Sequence, residues 1–125
     1  MNKHSPASLS VDMKKNRLRI HKAMLHQLSD PAYIQLLVNP DSKMVAIKAV
    51  HKASTGDQVH RVSKHALFSD NSVEIYSQSF VFKLKEVTPG LDYGTTYRMS
   101  GNVYPTVGIA VFSLKTLTKV LDQGN

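Results

Sequence analysis

Apolar and polar residues alternate from Leu9 to Met13. Leu9, Val11 and Met13 share one side and Ser10 and Asp12 the other, the two-residue period of a half-buried strand. Lys14-Lys15-Asn16 predicts a turn into a second strand over residues 17–20, apolar at Leu18 and Ile20 and basic at Arg17 and Arg19. Ala23, Met24, Leu25 and Leu28 then switch to helical spacing. Asp30-Pro31 predicts the end of that helix, because a residue before proline is pushed out of the α region. Two apolar runs follow, 33–38 and 44–50, around Asn39-Pro40-Asp41-Ser42-Lys43, whose residue types favour a turn and so predict a β-hairpin.

The second half reads in the same order. The pattern predicts a strand at 59–62, although Val62, Ala66 and Leu67 equally suit the start of a helix. Ser69-Asp70-Asn71 predicts a turn, and 73–76 a strand. Ser77 suits an N-cap for a helix with Phe80, Val81, Leu84 and Val87 on one stripe, broken by Pro89-Gly90. Strands at 93–99 and 107–112 enclose a loop expected at 100–105, and Ser113 is expected to cap a final helix with Leu114, Leu117, Val120 and Leu121 on one face. The order strand, helix, break, strand, turn, strand therefore occurs twice. It aligns Ile20 with Ile75, Met24 with Phe80, Leu28 with Leu84, Tyr33 with Tyr93 and Ile47 with Ile109, with a longer hairpin loop expected in the second copy. One domain is expected over residues 8–121, made of repeat 1 (8–52) and repeat 2 (58–114). The likeliest break between them is Gly56-Asp57, and 1–7 and 122–125 are expected to be tails.

Composition changes this picture mainly through charge. Sixteen Lys and Arg against nine Asp and Glu give a net charge of +7. Residues 1–52 hold nine basic and three acidic side chains, and 53–125 hold seven and six, so the excess belongs to the first half. Lys14, Lys15, Arg17, Arg19 and Lys22 fall within nine positions. Such a patch suits a phosphate backbone or another anionic surface, and equally a plain solvated surface. The absence of cysteine removes disulfides, thiolate nucleophiles and Cys-ligated zinc. No apolar run approaches the ~20 residues that span a bilayer, and MNKHSPASLS lacks the apolar segment of a secretory signal. A cytoplasmic location is expected.

Strand, short helix and hairpin, in that order, resemble the AbrB/SpoVT/MraZ swapped-hairpin DNA-binding domains of prokaryotes. Asn16-Arg17-Leu18-Arg19-Ile20 resembles the family's Gly-Arg-Val-Val-Ile strand, residues 23–28 its short helix, and residues 34–48 its hairpin with a charged tip. The chain departs from the family at His21 and Tyr76, where proline is usual, and at Leu25 and His26, where basic residues are common. Glu74 stands in the second copy where Arg19 stands in the first. The resemblance implies an α+β fold, a swapped-hairpin β-barrel of two pseudo-symmetric strand-helix-hairpin units interleaved within one chain, with the short C-terminal helix added. It implies double-stranded DNA as partner and a transcriptional regulator or antitoxin-like autoregulator as function. Lys14, Lys15, Arg17, Arg19, Lys22 and His26 are then the candidate DNA-binding residues, on phosphates and in the major groove. The alternative is a protein–protein interaction module, or a homo-oligomer, without direct DNA contact.

Other chemistry has less to stand on. The pairs His21/His26 and His60/His65 are five apart, whereas helical metal ligands want three or four, so no metal or cofactor is expected. There is no Gly-x-Ser-x-Gly elbow, no GxxxxGK[ST] loop and no carboxylate pair at acid/base spacing, so no enzyme activity is expected. Tyr93, Tyr97 and Tyr104 near Arg98 suit base stacking, but cross-strand packing is the commoner use of such a set. Phe82 lies off the Phe80/Leu84 stripe and is expected to face a second surface or an oligomer partner.

Overall fold

The computed structural model describes residues 4–51 and 58–120, so the expected break at Gly56-Asp57 and the expected helical residue Leu121 lie outside the described residues. The chain is α+β. Strands β1 (Ser5–Asp12) and β2 (Arg17–His21) form a tight hairpin, followed by α1 (Lys22–Gln27) and the hairpin β3 (Tyr33–Asn39) and β4 (Met44–Val50). Then come β5 (Val59–Arg61), α2 (Lys64–Ser69), β6 (Ser72–Tyr76) and α3 (Gln78–Val87). The hairpin β7 (Thr96–Tyr104) and β8 (Ile109–Ser113), a 3₁₀ turn (Leu114–Thr116) and β9 (Thr118–Lys119) complete the described chain. The strands form one antiparallel sheet in the order β5-β3-β4-β8-β7-β1-β2-β6, with β9 pairing β7 beside β8, on the edge away from β1.

The sheet curls into a nearly closed barrel whose inside is the core. The period-2 alternation sends Leu9 and Val11 of β1, Leu18 and Ile20 of β2 and Val73 and Ile75 of β6 inward. They meet Ile34, Leu36, Val45, Ile47, Met99, Ala110 and Phe112 from the other strands. Ile20 and Ile75 lie on directly paired strands, with Leu18 opposite Ile75 and Ile20 opposite Val73. The helices close the interior with the residues on their apolar stripes: Met24, Leu25 and Leu28 beside α1, Phe80, Val81, Leu84 and Val87 on α3.

The seam between the end strands β5 and β6 is bridged by side chains. Ser77 Oγ accepts the Phe80 N–H at 3.2 Å, the expected N-cap, and donates to Gln58 Oε1 at 2.8 Å. Gln58 also bonds Ser79 through its amide nitrogen, and its backbone carbonyl accepts Leu36 N–H at 2.9 Å. Ser77 is the one buried polar residue among those described, and its hydroxyl is satisfied in both directions. His60 sits at this seam, opposite Ile34 and thus on the inner side of the sheet, with Nε2 3.1 Å from Gln58 Oε1.

Several expectations are corrected. The C-terminal helix is a three-residue 3₁₀ turn followed by a short strand. Val120 N–H, which a helix would have bonded internally, goes to Thr96 O at 2.8 Å, and Leu114 N–H, an orphan donor at a helix start, is taken by Lys43 O at 2.8 Å. Residues 5–7 are strand rather than tail, because β7 offers a long edge and pairs back to Val103↔Ser5. Strand β7 begins at Thr96, not 93; Tyr93 lies in a turn where Asp92 Oδ1 accepts Gly94 N–H at 2.9 Å. It continues through 100–104, where a loop was expected, and both hairpin loops then have the same length, 40–43 and 105–108. The ambiguous stretch divides into β5 and then α2, whose N-cap Ser63 accepts Ala66 N–H.

Gly101 explains why β7 reads as loop yet is strand. There β7 runs between β1 and β8, and an added Cβ would lie 1.8 Å from the Val111 carbonyl oxygen. The glycine permits the close approach of the Val111–Phe112 backbone of β8. Gly101→Ala is expected to lower unfolding free energy by about 3 kcal/mol or more in urea titration, since backbone rather than a flexible side chain must move. A second expectation concerns His60. Burial pushes its imidazole below the ordinary value of 6.5, so folding favours the neutral form. The unfolded chain binds that proton first as pH falls, so this contribution to stability is complete above pH 6.5 and is lost in the window just below it. Between pH 7 and 5, His60→Leu should therefore lose less melting temperature than the unaltered protein.

Candidate nucleic-acid interface

The candidate site begins at the β1–β2 turn. Asp12 Oδ1 accepts the backbone N–H groups of Lys14 and Lys15, each at 3.1 Å, and Asn16 takes a left-handed φ of 53°. This Asx-type turn leaves both lysine side chains exposed at the tip. The other carboxylate oxygen, Oδ2, lies 3.2 Å from an Arg17 guanidinium nitrogen. Asp12 therefore fixes the turn with one oxygen and the first arginine with the other.

Arg17 and Arg19 project from the outer face of β2 because Leu18 and Ile20 point inward. In the register, Arg17 faces Tyr76 and Arg19 faces Glu74. Glu74 Oε2 lies 2.7 Å from Arg17 Nη1 and 3.5 Å from Arg19 Nη2, so one carboxylate of the second half ties both arginines of the first. Burial by itself would lower the Arg17 pKa, but the Tyr76 hydrogen bond and the charges of Glu74 and Asp12 outweigh it and raise it above the ordinary value. The Arg17 side chain is 18% exposed, Arg19 52% and Glu74 38%, so Arg17 is the structural member and Arg19 the available one.

Continuing across the sheet, Arg19 faces Ser10 of β1, which faces Arg98 of β7, which faces Thr118 of β9. Arg98 is exposed. Among the described residues its side chain has no carboxylate partner, in contrast to the two arginines of β2. This face thus carries Lys14, Lys15, Arg17, Arg19 and Arg98 against Asp12 and Glu74, five cations to two carboxylates. Guanidinium groups stay charged at any physiological pH and present planar forks of donors that match phosphate.

The remaining sequence candidates sit elsewhere. Lys22, half-buried, opens α1, whose N-terminus is capped by His21 Nδ1 accepting Ala23 N–H at 3.1 Å. His26 is engaged with Asp30, four residues on, and its ring lies 6.1 Å from that of Phe68 on α2. The structure therefore gathers four of the six expected residues and adds Arg98. Alternation of Arg98 between buried Tyr97 and Met99 places it outward from sequence alone, but nothing in the sequence says that β7 lies beside β1.

The tyrosines do not form a stacking platform. Tyr97 is buried, its hydroxyl accepting Asp92 N–H at 2.8 Å, and Tyr104 lies beside His4, with centroids 5.5 Å apart. Tyr93 is exposed and covered by Lys85, whose Nζ is 3.9 Å from the ring centroid and 5.4 Å from that of Phe82. Among the described residues no group of three or more His, Asp, Glu or Cys side chains converges to hold a metal, and no helix is long and apolar enough to cross a membrane.

Half-exposed ion pairs contribute modestly. Glu74→Gln should lower stability by about 0.5–1 kcal/mol at low salt, with the difference shrinking as salt is raised, read as urea midpoints at two ionic strengths. Compared with protein-family models, curated proteins and solved structures, the chain gives no match in any of the three.

Proposed function

We propose that this chain is a small DNA-binding protein of the swapped-hairpin kind, a transcriptional regulator or antitoxin-like autoregulator, acting through the outer face of β2 and its neighbours. The observation that carries the reading is the clustering of Lys14, Lys15, Arg17, Arg19 and Arg98 on one side of the barrel, against two carboxylates. The lysines at the turn contribute charge, and Arg19, the more exposed arginine of β2, approaches a groove edge or phosphate. Glu74 competes with the ligand for the arginines, which keeps nonspecific affinity low.

The architecture proper to that reading is a duplicated unit, β2-α1-β3-β4 and β6-α3-β7-β8, interleaved about an approximate dyad. The pairings that support it are symmetric. Strand β2 pairs with its counterpart β6 and β4 with its counterpart β8, and the hairpin ends bring Met44 rather than Ile47 into correspondence with Ile109. On this reading β5 answers β1, since both flank a hairpin of the other unit, and α2 replaces the tight β1–β2 turn.

A second reading, an interaction module that pairs with another copy of this chain, is favoured by the outward face of β3, β4 and β8. There Leu37, Met44, Ala46, Ile109 and Val111 lie in adjacent register with only Lys48 charged among them. One experiment separates the two. Binding of duplex DNA is measured across a salt gradient for the unaltered protein and for Arg17→Ala with Arg19→Ala, alongside oligomeric mass and circular dichroism. The DNA reading expects tight binding at low salt, a slope reduced by up to about two units in the folded double variant, and weaker binding. Unchanged DNA affinity on loss of both arginines would count against it. Elution from duplex DNA at low salt by a dimer or larger assembly would favour the interaction module.

A further inference from the structure

We infer that Arg98, with Arg19 across Ser10, forms a phosphate-binding subsite on this face, the ligand being a phosphodiester of the nucleic-acid backbone. The inference rests on the DNA-binding reading and deepens it. Arg19, Ser10 and Arg98 are consecutive across three adjacent strands, in the registers Ser10↔Arg19 and Ser10↔Arg98. Their side chains leave the sheet on the same side, because directly opposed residues share a face. Two strand spacings place the arginine backbones about 9.5 Å apart, within converging reach of two extended guanidinium side chains. The hydroxyl of Ser10 stands between them on a half-exposed residue and, among the described residues, has no hydrogen-bond partner. A phosphate placed over Ser10 would meet one donor fork from either side and a hydroxyl donor beneath.

The two arginines differ in what holds them. Arg19 shares Glu74 with Arg17, at 3.5 Å and 2.7 Å. Among the described residues Arg98 has no such restraint. A phosphate can therefore be met first by Arg98 without displacing any carboxylate, and Arg19 then exchanges Glu74 for the ligand. The cross-strand neighbours of Arg98 are Ser10 and Thr118, and its outward neighbours along β7 are Thr96 and Ser100, so hydroxyl groups surround it.

The test is the salt dependence of duplex DNA binding, followed by fluorescence anisotropy on a random-sequence oligonucleotide. The variants are Arg98→Ala, Arg98→Lys, Ser10→Asp and, as a charge control, Arg61→Ala on β5, four strands from β7 in the sheet order. Arg98→Ala is expected to weaken binding on the order of eightfold at about 0.1 M salt and to reduce the salt slope by about one unit. Arg98→Lys should keep the slope, because the charge remains, and Ser10→Asp should weaken binding at least as much as Arg98→Ala. Arg61→Ala should leave the slope unchanged. Equal loss in Arg98→Ala and Arg61→Ala would reduce the effect to net charge and overturn the subsite. A slope unchanged by Arg98→Ala, in a protein whose binding still collapses without Arg17 and Arg19, would overturn the subsite and leave the DNA reading standing. No salt-dependent binding by the unaltered protein would overturn both.

Discussion

Strand pairing between the two halves of the chain is the constraint on which the rest of this structure depends. Strands β1 and β2 end on β7 and β6, β3 ends on β5, and β4 ends on β8. Within a half, only the hairpins and the short β7–β9 pair are joined. A hairpin alone is marginal in water, and every unpaired edge leaves backbone donors and acceptors without partners. Crossing the halves removes most of those edges at once and encloses one core, to which β1, β2 and α1 contribute as well as β6, β7 and α3.

The same crossing makes the charged face. The arginines of β2 come from the basic first half, yet their nearest carboxylate, Glu74, comes from the second, and so does Arg98. The local cluster in the sequence is therefore partly neutralised on folding, while a distant arginine is added to it. What remains is a face whose charge is distributed over β2, β1 and β7 rather than along one segment. The turn at Asp12 couples this face to the fold: it holds Lys14 and Lys15 outward, fixes Arg17, and leaves the Asn16 carbonyl to accept Ser77 N–H at 2.9 Å, at the seam of the barrel.

Where local and tertiary preferences agreed, the sequence was legible. The β1–β2 turn, the helix stripe of α3, its Ser77 cap and the β3–β4 hairpin follow from alternation, helical spacing and turn residues, and all are present. The misreadings share one cause. Residues 5–7, 100–104 and 118–119 have polar, glycine-bearing or helix-compatible local patterns, and each became strand because a neighbouring strand offered an unpaired edge. In the expected helix after Ser113, the Val120 N–H goes to Thr96 O in this way. Tyr93 was aligned with Tyr33 as the first residue of the corresponding strand, and the turn at Asp92 removes it from the strand altogether.

By itself the sequence determined which side of β1 to β4 faces the core, where the two hairpins of the first half turn, and that an excess of positive charge sits near the N-terminal strands. These are short-range matters, set by side-chain period and by the backbone preferences of Pro, Gly, Asn and Asp. Only the tertiary structure decided which strands are neighbours. That choice placed Glu74 against Arg17 and Arg19, brought Arg98 beside Ser10, required a glycine at position 101, and turned the C-terminal segment into sheet. The reason is that a backbone edge can be satisfied by any strand of suitable length, so the partner is selected by the closure of the whole sheet rather than by residues near it in the chain.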